Sequence, residues 1–262
     1  MCARREQAHH TKPRMQAYGS ACGHFHSHPL KLYVSAITIR TMLMRTLPIT
    51  LTTLPLQLLT FGDSLTAGLT DRDAPYTPYG RAMQDELEKC GLPAAVISSG
   101  IVMESVHSMP CRLQDECAHV AYDSILIIGG SNDLWKNDVD AIWASLLSLY
   151  THVREHAQDQ RATPPLGVAT LPPFKPDAMR WFGGRRDVVT RLTDLTRRKV
   201  NQRIRAEARR PGSRAFLVDL AALSESRPGF MAADGIHLTP GAYDALGREA
   251  ARSFYAAQHA VL

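Results

Sequence analysis

Short, nearly unbroken apolar runs recur along the chain at Leu56–Phe61, Ala94–Ile97, Ile125–Ile128, Leu166–Ala169 and Ala215–Val218. Runs this short, with little polar alternation, suit strands buried on both faces of a parallel sheet. Between them the apolar residues return at helical spacing. Pro78–Cys90 carries Met83 and Leu87, and Val139–His156 carries Ile142, Leu146, Leu149 and Val153. Asp187–Arg209 carries Val188, Leu192, Leu195, Val200 and Ile204, and Pro240–Gln258 opens with a proline behind Thr239, a suitable cap. Strands alternating with helices predict a doubly wound α/β sandwich. No internal repeat interrupts the pattern.

Residues 1–50 do not share it. They hold seven Lys/Arg against one acid, Glu6, so the remaining chain carries a net charge of only −1 out of the formal +5. The basic character therefore belongs to a segment and not to a folded face, which argues against a nucleic-acid-binding domain. The same segment carries His9, His10, His24, His26 and His28, at spacings that match no ordered ligand set, so no metal site is expected. A disordered extension, or a start upstream of the true initiator at Met42 or Met44, is the plain reading of 1–50. Mitochondrial targeting is the sharper one. Residues 51–262 form the expected single domain. Lys31, Arg40 and Arg45 break the best apolar stretch, so no transmembrane segment is expected. Five cysteines, Cys2, Cys22, Cys90, Cys111 and Cys117, form neither a zinc spacing nor a disulfide framework. Reduced thiols and a cytoplasmic location follow, with a Cys111–Cys117 pair as the oxidising alternative.

Three polar clusters stand at the ends of apolar runs. Leu58–Phe61 leads into Gly62-Asp63-Ser64-Leu65. Gly62 permits a tight turn, and Ser64 would sit at a strand's C-terminal edge, where open α/β sheets place their ligands. Alone, this serine reads equally well as a helix cap. Ile127-Ile128 leads into Gly129-Gly130-Ser131-Asn132-Asp133, where an Asn amide can face a developing oxyanion or merely form a turn. Asp234-Gly235-Ile236-His237 offers an imidazole base and a carboxylate to orient it, or a surface loop before a capped helix.

In combination and order these blocks resemble the SGNH/GDSL hydrolases. The first block stands as Phe61-Gly62-Asp63-Ser64-Leu65, the Gly-x-Asn-Asp block as Gly130-Ser131-Asn132-Asp133, and the Asp-x-x-His block as Asp234-Gly235-Ile236-His237. The family's Asn-x-Gly-x-x-Gly block is matched by Ser98-Ser99-Gly100-Ile101-Val102-Met103, with Ser98 in place of Asn and Met103 in place of the second glycine. The resemblance covers about residues 56–258. It implies a flavodoxin-like α/β/α sandwich with a five-stranded parallel sheet in the order 2-1-3-4-5. It further implies Ser64 as nucleophile, His237 as base and then acid, and Asp234 as its orienter. Ser64, Gly100 and Asn132 would form the oxyanion hole. The reaction would run through an acyl-enzyme on a small-molecule ester, with a lipid acyl or a small acyl group, and without metal or organic cofactor. A thioesterase or carbohydrate deacetylase with the same triad is the alternative, as is a non-catalytic acyl- or glycan-binding module.

Two further features have no fixed role. Trp181 and Phe182 beside Gly183-Gly184, and Tyr76 and Tyr79 after the serine, are candidate substrate-binding residues. The stretch 174–210 carries ten arginines, read as the solvated face of a helix or as a basic lid.

Overall fold

The computed structural model describes residues 54–70, 75–136, 138–156, 166–175 and 186–260, the side chains of 186–189 excepted. The segment 1–50, Trp181 and Phe182 lie outside these residues.

The five apolar runs become five strands: β1 Leu56–Gly62, β2 Ala94–Gly100, β3 Ser124–Ile128, β4 Leu166–Ala169 and β5 Ala215–Val218. All pair in parallel, in the order β2-β1-β3-β4-β5, as the family resemblance implied. The helices are α1 Ser64–Ala67, α2 Tyr79–Lys89, α3 Met109–His119, α4 Val139–His156, α5 Arg186–Arg209, α6 Leu220–Glu225 and α7 Pro240–Ala260, with a 3₁₀ turn at Ser131–Lys136.

Period-two alternation sorts each strand's side chains onto opposite faces of the sheet. Leu58, Leu126 and Ile128 join Met83 and Leu87 of α2 and Tyr243, Leu246 and Phe254 of α7 in one core. Leu59, Phe61, Ile125 and Ile127 join Leu113 of α3, Leu146 and Leu149 of α4, and Val200 and Ile204 of α5 in the other. Full burial of such side chains contributes about 1.5–3 kcal/mol each, so the two apolar layers dominate the stability of the sandwich.

Helix α5 departs from the sequence expectation. Leu192 and Leu195, read as part of its apolar stripe, are exposed, while Thr193, Thr196, Arg197 and Asn201 are buried. The cause lies at the end of β4, where the chain leaves the sheet and its peptide groups need partners. The Asn201 side chain supplies both: Oδ1 accepts from Leu171 N–H at 2.7 Å and Nδ2 donates to Leu171 C=O at 2.9 Å. The arginines of α5 are largely engaged with acids. Arg197 and Arg198 bind Asp194, Arg205 binds Asp219, and Arg203 binds Asp140. This matches an ion-paired helix better than a basic lid.

Cys111 and Cys117 are both free thiols on α3. Six residues along a helix separate them by about 9 Å of rise, too far for a disulfide, so the pairing alternative falls. Among the described residues no helix is long and apolar enough to cross a membrane.

Candidate active site

Strand β1 ends at Gly62, in register with Gly100 of β2 on one side and Ile128 of β3 on the other. A Cβ on Gly62 would lie 1.9 Å from the Ile128 carbonyl oxygen, so only glycine fits this crossing. Asp63 then caps α1. Its Oδ1 accepts from Leu65 N–H at 3.0 Å, and its carbonyl accepts from the N–H groups of Thr66 and Ala67. Ser64 is therefore the first residue of a helix that starts at the C-terminal edge of the central strand. Its carbonyl is taken by Gly68 and Leu69 N–H, and it is buried.

Asp63 has an unusual environment. It is fully buried, and its Oδ2 has no hydrogen-bond partner. Burial pushes its carboxyl up to about 7, with the nearby acids Glu104 and Asp133 adding to the effect against the Leu65 N–H.

The register places Gly100 beside this turn. A Cβ there would fall 2.1 Å from the backbone nitrogen of Ala67, so the β2 strand end and α1 meet backbone to backbone. Beyond Gly100 the chain turns sharply, with Glu104 N–H donating to Ile101 C=O at 3.2 Å. Met103, which stands where the family pattern has glycine, keeps a glycine-like φ of +65° and is 77 % exposed. On the other side, Gly130 at φ +103° directs the chain from β3 into the 3₁₀ turn that carries Asn132. Asn132 Nδ2 donates one hydrogen to Glu104 C=O at 2.9 Å, and an amide nitrogen has a second to offer. Its neighbour Asp133 is fully buried and holds the same loop by accepting from Ser105 Oγ at 2.6 Å and Val106 N–H at 2.8 Å.

His237 and Asp234 arrive from the far end of the chain. Their loop is closed by the isolated Met231–Leu238 bridge, with Ala232 N–H on His237 C=O at 2.8 Å. His237 Nε2 lies 3.0 Å from Ser64 Oγ, and Nδ1 lies 2.5 Å from Asp234 Oδ2. The other carboxylate oxygen accepts from the N–H groups of Ile236 at 2.9 Å and His237 at 3.0 Å. Burial works to raise the Asp234 carboxyl. These backbone donors and the His237 ring outweigh it and hold the group below the usual carboxylate range. Ser64, His237 and Asp234 thus form one hydrogen-bonded line, with a carboxylate that stays ionised where an imidazole titrates. Such a line can activate a hydroxyl as a nucleophile.

Of the sequence candidates, the structure brings Ser64, Gly100, Asn132, Asp234 and His237 to one end of the sheet. It does not add the tyrosines. Tyr79 is wholly buried among the apolar side chains of the first core, so it is no pocket wall. Tyr76 is exposed and lines a cleft with Arg81, Asp85, Ser98 and Arg248 that includes none of the three residues of the line. Sequence reasoning missed Glu104 and Arg112, which carry no motif spacing. It assigned nothing to Asp133, although its place beside Asn132 in the Gly-x-Asn-Asp block was a signal. Among the described residues no group of three or more His, Cys, Asp or Glu is arranged to hold a metal ion.

The profile of the family described as GDSL-like Lipase/Acylhydrolase matches residues 60–245. Among curated proteins none matches significantly. Similar folds occur in solved structures. The M. smegmatis aryl esterase in an inhibitor-bound form has a TM-score of 0.58 at 22% identity, covering 77% of this chain and 99% of that one. A lipase/acylhydrolase from Enterococcus faecalis gives 0.56 at 23%, covering 75% and 94%. Axe2, an acetylxylan esterase from Geobacillus stearothermophilus, gives 0.53 at 22%, covering 78% and 94%. At such identities the likeness speaks for the fold.

Proposed function

The chain belongs to the GDSL-like lipase/acylhydrolase family, and from that premise we propose that it is a serine esterase that cleaves a small-molecule carboxylic ester through an acyl-enzyme on Ser64. The observation that carries this reading is the unbroken Ser64–His237–Asp234 line, with contacts of 3.0 and 2.5 Å.

The proposed steps make use of these contacts. His237 Nε2 takes the proton of Ser64 Oγ as the oxygen attacks the acyl carbon. Asp234 holds Nδ1–H and stabilises the imidazolium that forms. The carbonyl oxygen becomes an oxyanion facing the backbone N–H groups of Ser64 and Gly100 and the second hydrogen of Asn132 Nδ2. Collapse of this intermediate expels the alcohol, which receives the proton from His237. Water then attacks the acyl-Ser64 ester, with His237 again as base, and releases the acid. No step calls for a metal or an organic cofactor.

A panel of p-nitrophenyl esters from acetate to long-chain acyl groups tests the reading. Wild type should hydrolyse part of the panel, and mass spectrometry of the quenched enzyme should show one acyl group on the peptide containing Ser64. Ser64→Ala should lower kcat by about 10⁶-fold with an unchanged melting temperature. A folded Ser64→Ala protein that keeps most of the activity would overturn the assignment.

A further inference from the structure

The three groups proposed to hold the oxyanion lie on three separate segments: the end of β1, the end of β2 and the turn after β3. Backbone pairing sets the strand ends to within the slack of their loops, yet oxyanion donors must be placed to about 0.5 Å. One side chain bonds the first two of these segments directly and reaches the third through Glu104. Arg112, on α3, reaches back under the turn with its guanidinium 3.9 Å from the centre of the Phe61 ring.

Its contacts lie next to two of the donors and one bonded step from the third. Nη2 donates to Gly62 C=O at 2.9 Å, two residues before Ser64. Nη1 donates to the Ser99 carbonyl at 3.3 Å and to Ser99 Oγ at 2.7 Å, one residue before Gly100. Nε and Nη2 grip the Glu104 carboxylate at 3.0 and 2.5 Å. The Glu104 carbonyl is in turn the acceptor that fixes Asn132 Nδ2. A guanidinium has five N–H groups in a planar fork, and here all five point at protein acceptors. None is left for a substrate. The Ser99 hydroxyl passes its own proton on to Glu116 Oε1 at 2.5 Å, so this acceptor is fixed as well. The Glu104 side chain is only 8% exposed, so this ion pair is largely shielded from water.

From this geometry we infer that Arg112 is a positioning residue that sets the relative placement of the Ser64, Gly100 and Asn132 donors through Gly62, Ser99 and Glu104. The inference rests on the proposed esterase reaction and adds a residue that acts on it without touching the substrate. Such a residue stabilises the charge that develops in the transition state, so its loss falls on kcat and leaves KM nearly unchanged. Lysine keeps the charge but has three donors and no plane, so it replaces the grip on Glu104 and not the bonds to the two strand ends.

The test is a double-mutant cycle on a p-nitrophenyl ester. Arg112→Met should lower kcat by about 10–100-fold, short of the 10²–10³-fold expected for losing one donor outright. Arg112→Lys should fall between it and wild type. In an Asn132→Ala background, Arg112→Met should cost several-fold less than it does in wild type, because one of the three donors it aligns is already gone. Factors that simply multiply, or a rise in KM with normal kcat, would overturn the inference. Arg112→Met leaves Glu104 unpaired, so Arg112→Met/Glu104→Gln serves where the single variant fails to fold. A readout independent of turnover is the ¹⁵N-resolved exchange of the Asn132 side-chain amide with water. It should quicken at least tenfold in either variant, and an unchanged rate would overturn the inference even if wild type hydrolysed no ester. That last outcome would remove the esterase reading alone.

Discussion

The two halves of the candidate site are built differently. The half proposed to hold the oxyanion is braced over long range. Gly62 is locked between β2 and β3, Asp133 clamps the 104–106 loop, and Arg112 spans 50 residues of sequence to reach Gly62. The half proposed to act as acid and base is local. Asp234 orients His237 from three residues away and is itself held by the two N–H groups of its own turn. It is also the more open half, its side chain 35% exposed against none for Asp133. The difference suits the two tasks. An oxyanion hole works by dipoles that do not reorganise, whereas the base must hand its proton from one oxygen to another within a turnover.

Breaking each half separately should show this. On the local side, Asp234→Asn should lower kcat by about 10⁴-fold, because both the imidazole tautomer and the imidazolium lose their support. Thermal stability should change little, since the backbone N–H groups keep an amide oxygen as acceptor. Steady-state kinetics with a melting curve decide it. The same kinetics run against pH should show kcat/KM falling with acid, because a protonated His237 cannot accept from Ser64. A flat profile would remove His237 as the base. On the braced side, Asn132→Ala should lower kcat by about 10²–10³-fold while KM moves less. A normal kcat in that variant would reduce Asn132 to a turn residue that ties down Glu104.

The smallest effect is on stability and sharpens the contrast further. Asp63 lies in the braced half with a carboxyl raised to about 7 by burial. The folded protein therefore keeps a proton that the unfolded chain releases near pH 4, and stability falls as pH rises from about 4 to about 7. Asp63→Asn keeps the acceptor for Leu65 N–H and removes that slope. Denaturant unfolding at pH 5 and pH 8 should show the variant gaining on wild type at the higher pH. An equal difference at both would mean that Asp63 is ionised throughout.

Most of the fold was legible because a parallel sheet covered on both faces writes itself as short apolar runs, and all five were found. The serine, asparagine and histidine were legible because each follows a glycine-bearing turn at a strand end or stands at a fixed spacing from an acid. Helix α3 was not, since its buried apolar residues are only Met109 and Leu113 and its remaining surface is polar. Arg112 and Glu104 stayed hidden for a related reason. Their pairing depends on a loop folding back, and no periodicity encodes a loop. Tyr79 misled because proximity in sequence to Ser64 says nothing about which face of α2 turns inward.

Met103 bears on how such a protein can change. Its backbone holds φ +65° without the glycine that relaxes this region, and its side chain is too exposed to return the cost in packing. A left-handed non-glycine residue sits about 1–2 kcal/mol above its relaxed state. Substitution by glycine would recover part of that without disturbing Gly100, Asn132 or the arginine fork. The chain thus carries an untapped margin of robustness a few residues from the proposed oxyanion donors, and a destabilising substitution nearby has a compensating one already marked out beside it.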